Sequence, residues 1–381
     1  MFFSMDWKVF SSEPGALGVM RNKPCRQCRL GTVAICQVMS LLAWVLMPAT
    51  PAFSQDGADV LVPLTRLSVR GQISGKGGAA AEDISGMACI PKVGPETRCL
   101  LINDENTSAQ FVSLNGSVLQ PGAVLPIIGR VAPDNAVGTP PSITCAGVKK
   151  FSDLDGEGVA YGDQQFYVVG SHGCSRNSNN FRLSSFILAR ASLAGTGETV
   201  KSIELSYRLS DVLQAAAQVG DRFGKPLDTV GNGLNIEGLA ISSGKLWVGL
   251  RAPVDDGKAY LIGAPVDELF APGDRKWTGA PDLRVLPLSA GRGIRDLASL
   301  SMDRLLLLSG PAQNQDIDYR LHMVDLKTSA PPILIGVLEN VPGGKAEVLA
   351  VLRESPEGVE FVVMFDSVKN GGGLIYRVKL P

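Results

Sequence analysis

Three glutamates and an arginine occupy one phase of a segment that recurs along the chain. Oxygen donors brought to a common axis in this way could hold a cation or a polar ligand. The copies are Ser85-Gly86-Met87-Ala88, Glu157-Gly158-Val159-Ala160, Glu237-Gly238-Leu239-Ala240, Arg295-Asp296-Leu297-Ala298 and Glu347-Val348-Leu349-Ala350. Aligned on the closing alanine, one position reads Ser85, Glu157, Glu237, Arg295, Glu347, and two residues earlier stand Asp83, Asp155, Asn235, Gly293 and Lys345. Side chains two apart on a strand share a face, so converging copies would stack two polar rings. Glutamates on one axis repel and raise at least one pKa, unless a cation or Arg295 compensates. Asp155, Glu157, Asn235 and Glu237 are therefore the candidate ligands for a hard divalent cation such as calcium.

The apolar run after each copy ends in a second polar set: Asn103-Asp104-Glu105-Asn106, Gly170-Ser171-His172-Gly173, Gly249-Leu250-Arg251, Ser309-Gly310-Pro311 and Phe365-Asp366-Ser367. Glu105, His172 and Arg251 join Arg295 and Glu347 as candidate ligand-binding residues. His172, Arg251 and Arg295 together suit a carboxylate or phosphate. A structural role stands beside this one, because a Glu-Gly step can bond backbone N–H groups of a neighbouring unit. His322, in the middle of a strand, is expected to be structural. The body has no Gly-Lys-Ser/Thr loop, Gly-x-Ser-x-Gly elbow, His-Glu-x-x-His or two-cysteine zinc spacing.

The elements that must position these residues are short β-type runs separated by Gly, Pro, Asn and Asp, which predicts an all-β protein. Each copy opens a four-stranded antiparallel meander, with second strands such as Phe166-Tyr167-Val168-Val169 and Leu305-Leu306-Leu307-Leu308. The repeat alanines lie 72, 80, 58 and 52 residues apart, longer than the roughly 40 to 50 of compact propeller repeats. Segments 132–150 and 211–233 hold the excess, and the second reads as a short helix with Asp211 at its N-cap. Such units arranged radially form a β-propeller, of five blades, or six if a divergent one hides in the insertions. The last unit shows three strands, and the β-rich segment from Leu61 to Ser74 is expected to complete it as an outer strand that closes the ring.

With 45% hydrophobic and 19% charged residues, the chain can bury a large core. Residues 1–54 carry Lys8, Arg21, Lys23, Arg26 and Arg29 against Asp6 and Glu13, so the net charge of −1 hides a basic leader and a mildly acidic body. That body offers no electrostatic footprint for nucleic acid. The basic stretch, the apolar run from Leu30 to Met47 and the small-residue exit read as an export signal cleaved after Ser54, with Met20 as the alternative start; a retained anchor is the other reading. Residues 55–381 would then be a single propeller domain, exported to the periplasm or the extracellular space. Of seven cysteines, Cys89, Cys99, Cys145 and Cys174 lie in that body; their placement around the first two repeats suggests the pairings Cys89–Cys99 and Cys145–Cys174, and four buried thiols are the alternative.

The runs Asp83-Ile84-Ser85-Gly86-Met87-Ala88 with Asn103-Asp104-Glu105, Asp155-Gly156-Glu157-Gly158-Val159-Ala160 with Gly170-Ser171-His172, and Asn235-Ile236-Glu237-Gly238-Leu239-Ala240 resemble domain-of-unknown-function family 3616 of bacterial proteins. The resemblance extends over about Leu61 to Pro381 and implies a propeller-like fold without an assigned activity. More distantly, the Glu-Gly-hydrophobic-Ala repeats are similar to those of phytase-like esterase propellers and gluconolactonase-type hydrolases. That similarity implies channel-mouth carboxylates around a divalent metal. Ser85 and Arg295 depart from it, since each stands where an acid belongs. The reading that results is an exported, monomeric propeller whose channel mouth binds a small anionic ligand, directly or through a divalent cation. A metal-dependent hydrolase of a phosphoester or lactone is one alternative, and a scaffold for envelope proteins is another.

Overall fold

Each repeat alanine lies on an innermost strand, and the apolar run that follows folds back beside it. The structure is a computed structural model describing residues 57–381 except 92–93, 144, 150 and 196–197. The export-signal reading of residues 1–54, including the choice of Met20, lies outside the described residues. Blade 1 consists of Ile84–Cys89, Thr97–Asn103, Ser108–Asn115 and Val118–Pro126, and blade 2 of Gly156–Gly162, Gln165–Gly170, Leu188–Leu193 and Val200–Ser206. Blade 3 is Asn235–Ser242, Lys245–Ala252, Lys258–Pro265 and Asp282–Pro287; blade 4 is Arg292–Leu300, Arg304–Pro311, Arg320–Asp325 and Ile333–Leu338. Blade 5 contributes Lys345–Ser355, Gly358–Asp366 and Leu374–Val378. Consecutive inner strands touch, and that of blade 5 touches that of blade 1. The fold is a five-bladed β-propeller. The six-blade alternative falls because the insertions hold only a short parallel pair, Gly147–Val148 with Asn180–Phe181, and helical turns.

Closure goes further than one added strand. Thr65–Arg66 pairs antiparallel with the last strand of blade 5, as the sequence predicts. Just before it, Val60–Leu61 runs parallel to the outer strand of blade 4, and just after it Ser68–Val69 runs parallel to that of blade 1. One short segment therefore straps three blades together. The helix spans Arg208–Ala215, earlier than expected, because Asp211 does not cap it; its carboxylate accepts the Trp277 backbone N–H at 2.9 Å.

The core is distributed between blades. Blades 2 and 3 enclose one hydrophobic cluster, and the other four neighbouring pairs enclose one each. At the repeat glycines of blades 2 and 3 the neighbouring inner strand comes too close for a side chain. A Cβ on Gly158 would lie 2.8 Å from that of Leu239, and one on Gly238 would lie 2.8 Å from Leu297 Cγ. The Glu-Gly step of the repeat is thus a packing requirement at its second residue.

Both expected disulfides are present. Cys89 and Cys99 face each other across the first hairpin, and Cys145–Cys174 ties the insertion before blade 2 to the loop after its second strand. The second bridge closes a loop with a sequence separation of 29, which in the chain-entropy account stabilises by about 3 kcal/mol. Replacing Cys145 and Cys174 by serine is expected to remove that amount in urea denaturation. The Cys89/Cys99 double replacement, with a separation of 10 inside a formed hairpin, should cost less. Equal losses would contradict the loop-length argument.

Candidate functional site

The aligned ring is built from β-bulges. In each blade, pairing between the first and second strands skips the ring residue: Ile84↔Asn103 passes to Gly86↔Ile102 around Ser85, and Gly156↔Gly170 passes to Gly158↔Val169 around Glu157. The same break surrounds Glu237, Arg295 and Glu347. A bulge leaves one residue out of the ladder and re-aims its side chain. In blade 3 the second strand is also interrupted, at Arg251, since Asn235↔Ala252 passes to Ile236↔Leu250. Gly293 belongs to this arrangement, because a Cβ there would sit 2.0 Å from the Arg251 carbonyl oxygen.

Blades 3, 4 and 5 thereby supply a continuous ion-pair chain. Arg251 Nη1 donates to Glu237 Oε1 at 2.6 Å, Arg295 Nη2 lies 3.1 Å from Glu237 Oε2, and the same nitrogen donates to Glu347 Oε1. The four side chains are 7%, 4%, 1% and 11% exposed for Arg251, Glu237, Arg295 and Glu347, so all are largely desolvated. Arg251 Nε also donates to Ala312 O at 2.8 Å. Burial lowers the Arg295 pKa to about 10, with Arg251 adding to the shift and Glu237 opposing it, so Arg295 stays cationic near neutral pH. Sequence reasoning posed a cation or Arg295 as the means of compensation; for Glu237 and Glu347 it is Arg295.

Blades 1 and 2 supply the opposite character. Burial pushes Glu157 well above the usual carboxylate range, and the charges of Glu237, Asp155 and Asp104 add to it. Glu157 makes no hydrogen bond or ion pair among the described residues. Asp155, with φ +54°, accepts from the Ser171 hydroxyl and lies 3.8 Å from Arg182; burial still raises its pKa. Asp104 is raised to about 8, first by burial and then by Asp155, Asp83, Asp366 and Glu105. Asp83 is raised by burial, Glu105 and Asp366. Glu105 itself pairs with Lys76 at 3.0 Å, and Lys345 pairs with Asp366 at 2.6 Å.

Several buried acceptors here lack donors. Asn103 Oδ1, Asp104 Oδ1, Asn235 Oδ1 and His172 Nε2 have no hydrogen-bond partner. Asn103 is held in orientation by its Nδ2–H to Ser74 O at 2.9 Å. His172, expected on a loop within reach of a ligand, is on the loop but fully buried. Its φ is +52°, its Nδ1 is 2.9 Å from Gly170 O, its ring packs on Phe186, and burial lowers its pKa to about 4. Nδ1–H therefore donates to that carbonyl, and Nε2 is the free acceptor. His322 fills the structural role expected, its Nε2 lying 3.0 Å from Ser309 Oγ within blade 4.

The four metal candidates do not form a ligand cluster. Glu237 is committed to two guanidinium groups and Asp155 Oδ2 to Ser171. Among the described residues no group of three or more His, Cys, Asp or Glu could hold a metal ion. The donor set does not fit a divalent cation in the way the similarity to phytase-like propellers implies. Bonding to a neighbouring blade's backbone, the structural role envisaged for the glutamates, belongs instead to Asp296, one residue beyond the ring. It accepts Leu297 N–H at 2.7 Å and, from blade 5, Leu349 N–H at 2.6 Å.

Residues 189–371 match DUF3616, a family of proteins of unknown function. The DUF3616 match begins in the third strand of blade 2 and takes in Glu237, Arg251, Arg295 and Glu347, the whole ion-pair chain. Asp83, Asp104, Asp155 and Glu157 precede it. No curated protein sequence is significantly similar to the chain. Among solved structures, the exo-β-1,3-galactanase 1,3Gal43A from Clostridium thermocellum shares 10% identity over 83% of this chain with a TM-score of 0.41; the chain spans 62% of that protein's length. A thermostable family-43 glycoside hydrolase shares 12% identity over 78% of this chain and 90% of its own, with a TM-score of 0.42. The endo-arabinase from Bacteroides thetaiotaomicron shares 12% over 85% and 98%, with a TM-score of 0.39.

The sequence points to Glu105 in the polar set ending the second strand of blade 1, whereas the carboxyl that burial raises to about 8 is Asp104 beside it. Sequence reasoning also missed Arg176 and Tyr319. The Arg176 pKa is lowered by burial and by the charge of Arg251, against the opposing charges of Glu237 and Glu157. The Tyr319 phenol is raised by burial and lies within the field of Arg295 and Glu237. The signal for Arg176 was its place two residues after Cys174.

Proposed function

We propose that this is an exported, monomeric binding propeller whose channel mouth takes a small organic cation, such as an amine or guanidinium group. The observation that carries the reading is the excess of buried acceptors without donors, Asp104 Oδ1, Asn103 Oδ1 and Asn235 Oδ1, in the field of the half-buried Glu157 carboxylate, which has no ion pair among the described residues. A buried acceptor without a donor is costly, and repelling carboxyl groups are relieved by positive charge. A ligand that brings N–H donors and a cationic charge answers both. The anionic ligand expected from the sequence is less well supported, because Arg251 and Arg295 already hold carboxylates. One observation keeps that reading as an alternative: Arg176 is exposed, lies within the field of Glu237 and Glu157, and has no ion pair among the described residues.

Calorimetric titration with putrescine, and separately with inorganic phosphate and calcium chloride, tests this. Putrescine is expected to bind, and to bind about tenfold or more tightly at pH 8.5 than at pH 6, because it must displace the proton that Asp104 holds up to about pH 8. Glu157→Gln should weaken it by about tenfold or more. Phosphate binding without putrescine binding would overturn the proposal in favour of Arg176. Heat from calcium alone would restore the metal reading.

A further inference from the structure

The mouth described above occupies one end of the channel, and its floor is a ring of five apolar side chains. Met87, Val159, Leu239, Leu297 and Leu349, each two residues after a ring position, are all at most 2% exposed. Beyond them the channel opens again into a cavity of about 620 Å³, within the range of about 300–1,000 Å³ typical of small-molecule sites. Ala88, Ala160, Ala298 and Ala350 line it. These are repeat alanines, the feature of the motif that the mouth leaves unexplained. Their small side chains keep a lumen open where larger ones would fill it. Ala240, the remaining repeat alanine, is fully buried and does not line the cavity.

Two charged residues line the rim of this cavity, Glu354 and Arg353. Glu354 is neutralised, since its carboxylate accepts Ser301 N–H at 2.8 Å, Ser301 Oγ–H at 2.6 Å and Arg304 Nη2–H at 3.0 Å. Arg353 also lines the cavity and is exposed; its guanidinium makes no direct hydrogen bond or ion pair among the described residues, and the Glu357 carboxylate lies within its field. An apolar lumen under one guanidinium that no carboxylate contacts directly is complementary to an apolar chain with an anionic end. We propose that the far end of the channel is a second ligand site, independent of the mouth, which takes a single alkyl chain ending in a carboxylate, with the chain in the alanine-lined lumen and the carboxylate on Arg353.

Isothermal titration with hexanoate, octanoate and decanoate tests this on the unmodified protein. Each methylene buried in the lumen should tighten binding by about fourfold, so affinity should climb steeply along the series. Arg353→Glu is expected to weaken decanoate by tenfold or more while leaving decanol unchanged, and Ala350→Phe, which fills the lumen, to abolish both. Should Ala350→Phe fail to fold, the chain-length series and Arg353→Glu still decide. No heat with decanoate, equal affinity for all three acids, or undiminished decanoate binding by Arg353→Glu would each overturn the proposal.

Discussion

Replacing Arg295 by methionine should destabilise the protein by about 3–5 kcal/mol and lower its Tm by about 6 °C. Arg295 is 1% exposed and holds Glu237 and Glu347 at once. Two carboxylates would be left buried beside each other, with only Arg251 to answer Glu237. The cost comes from that uncompensated charge and not from the strength of the original pairs, because desolvation offsets most of what a buried ion pair contributes. A rescue distinguishes the two origins. The triple variant Arg295→Met, Glu237→Gln, Glu347→Gln removes the orphaned charges and should regain most of the loss, with Arg251 still bonded to the Ala312 carbonyl. Urea denaturation of the wild type, single and triple variants measures both steps. A single variant within about 1 kcal/mol of wild type would show that solvent reaches the carboxylates and that the site is wetter than its burial indicates.

The architecture was readable from the repeats because one alanine, one preceding hydrophobic and one polar residue kept their phase in all five copies. The identity of the ring survives intact: Ser85, Glu157, Glu237, Arg295 and Glu347 are the bulged residues. The bulges themselves could not be read, since register is a property of two strands and the repeat shows only one. Arg251 illustrates the consequence. Its place at a second-strand end was visible, but its pairing with Glu237 depends on interruptions in both strands. His172 fails for a different reason. Glycine flanks suggested an exposed loop, whereas they permit the left-handed turn that tucks the imidazole against Phe186. Asp104 is one of four consecutive polar residues, and only the convergence of blades 1, 2 and 5 singles it out.

That convergence makes the protein less stable at alkaline pH. Asp104 has its pKa raised to about 8 by burial and by Asp155, Asp83, Asp366 and Glu105, against about 3.9 in an unfolded chain. Below about pH 4 both states hold the proton, and the contribution of Asp104 to stability is fully present. Between about pH 4 and pH 8 the unfolded chain binds fewer protons than the native one, so stability falls as pH rises, by up to about 1.4 kcal/mol per unit. Asp83, Asp155 and Glu157 are shifted in the same direction and add to the slope. Asp153 opposes it: burial raises its pKa, but Ser152, its own backbone amide and Arg182 outweigh that and hold it low, so its contribution is present at neutral pH and lost in acid. Asp104→Asn imitates the protonated carboxyl. The variant should match wild type near pH 4 and exceed it at pH 8 by on the order of 3 kcal/mol, allowing for solvent screening at a half-buried group. Urea midpoints at pH 5, 6.5 and 8 for both proteins test this, and parallel curves would remove Asp104 as the cause. The same substitution should weaken putrescine. An acid that costs stability at neutral pH is expected where function requires it, and a variant gaining stability while losing the ligand would tie the two together at one side chain.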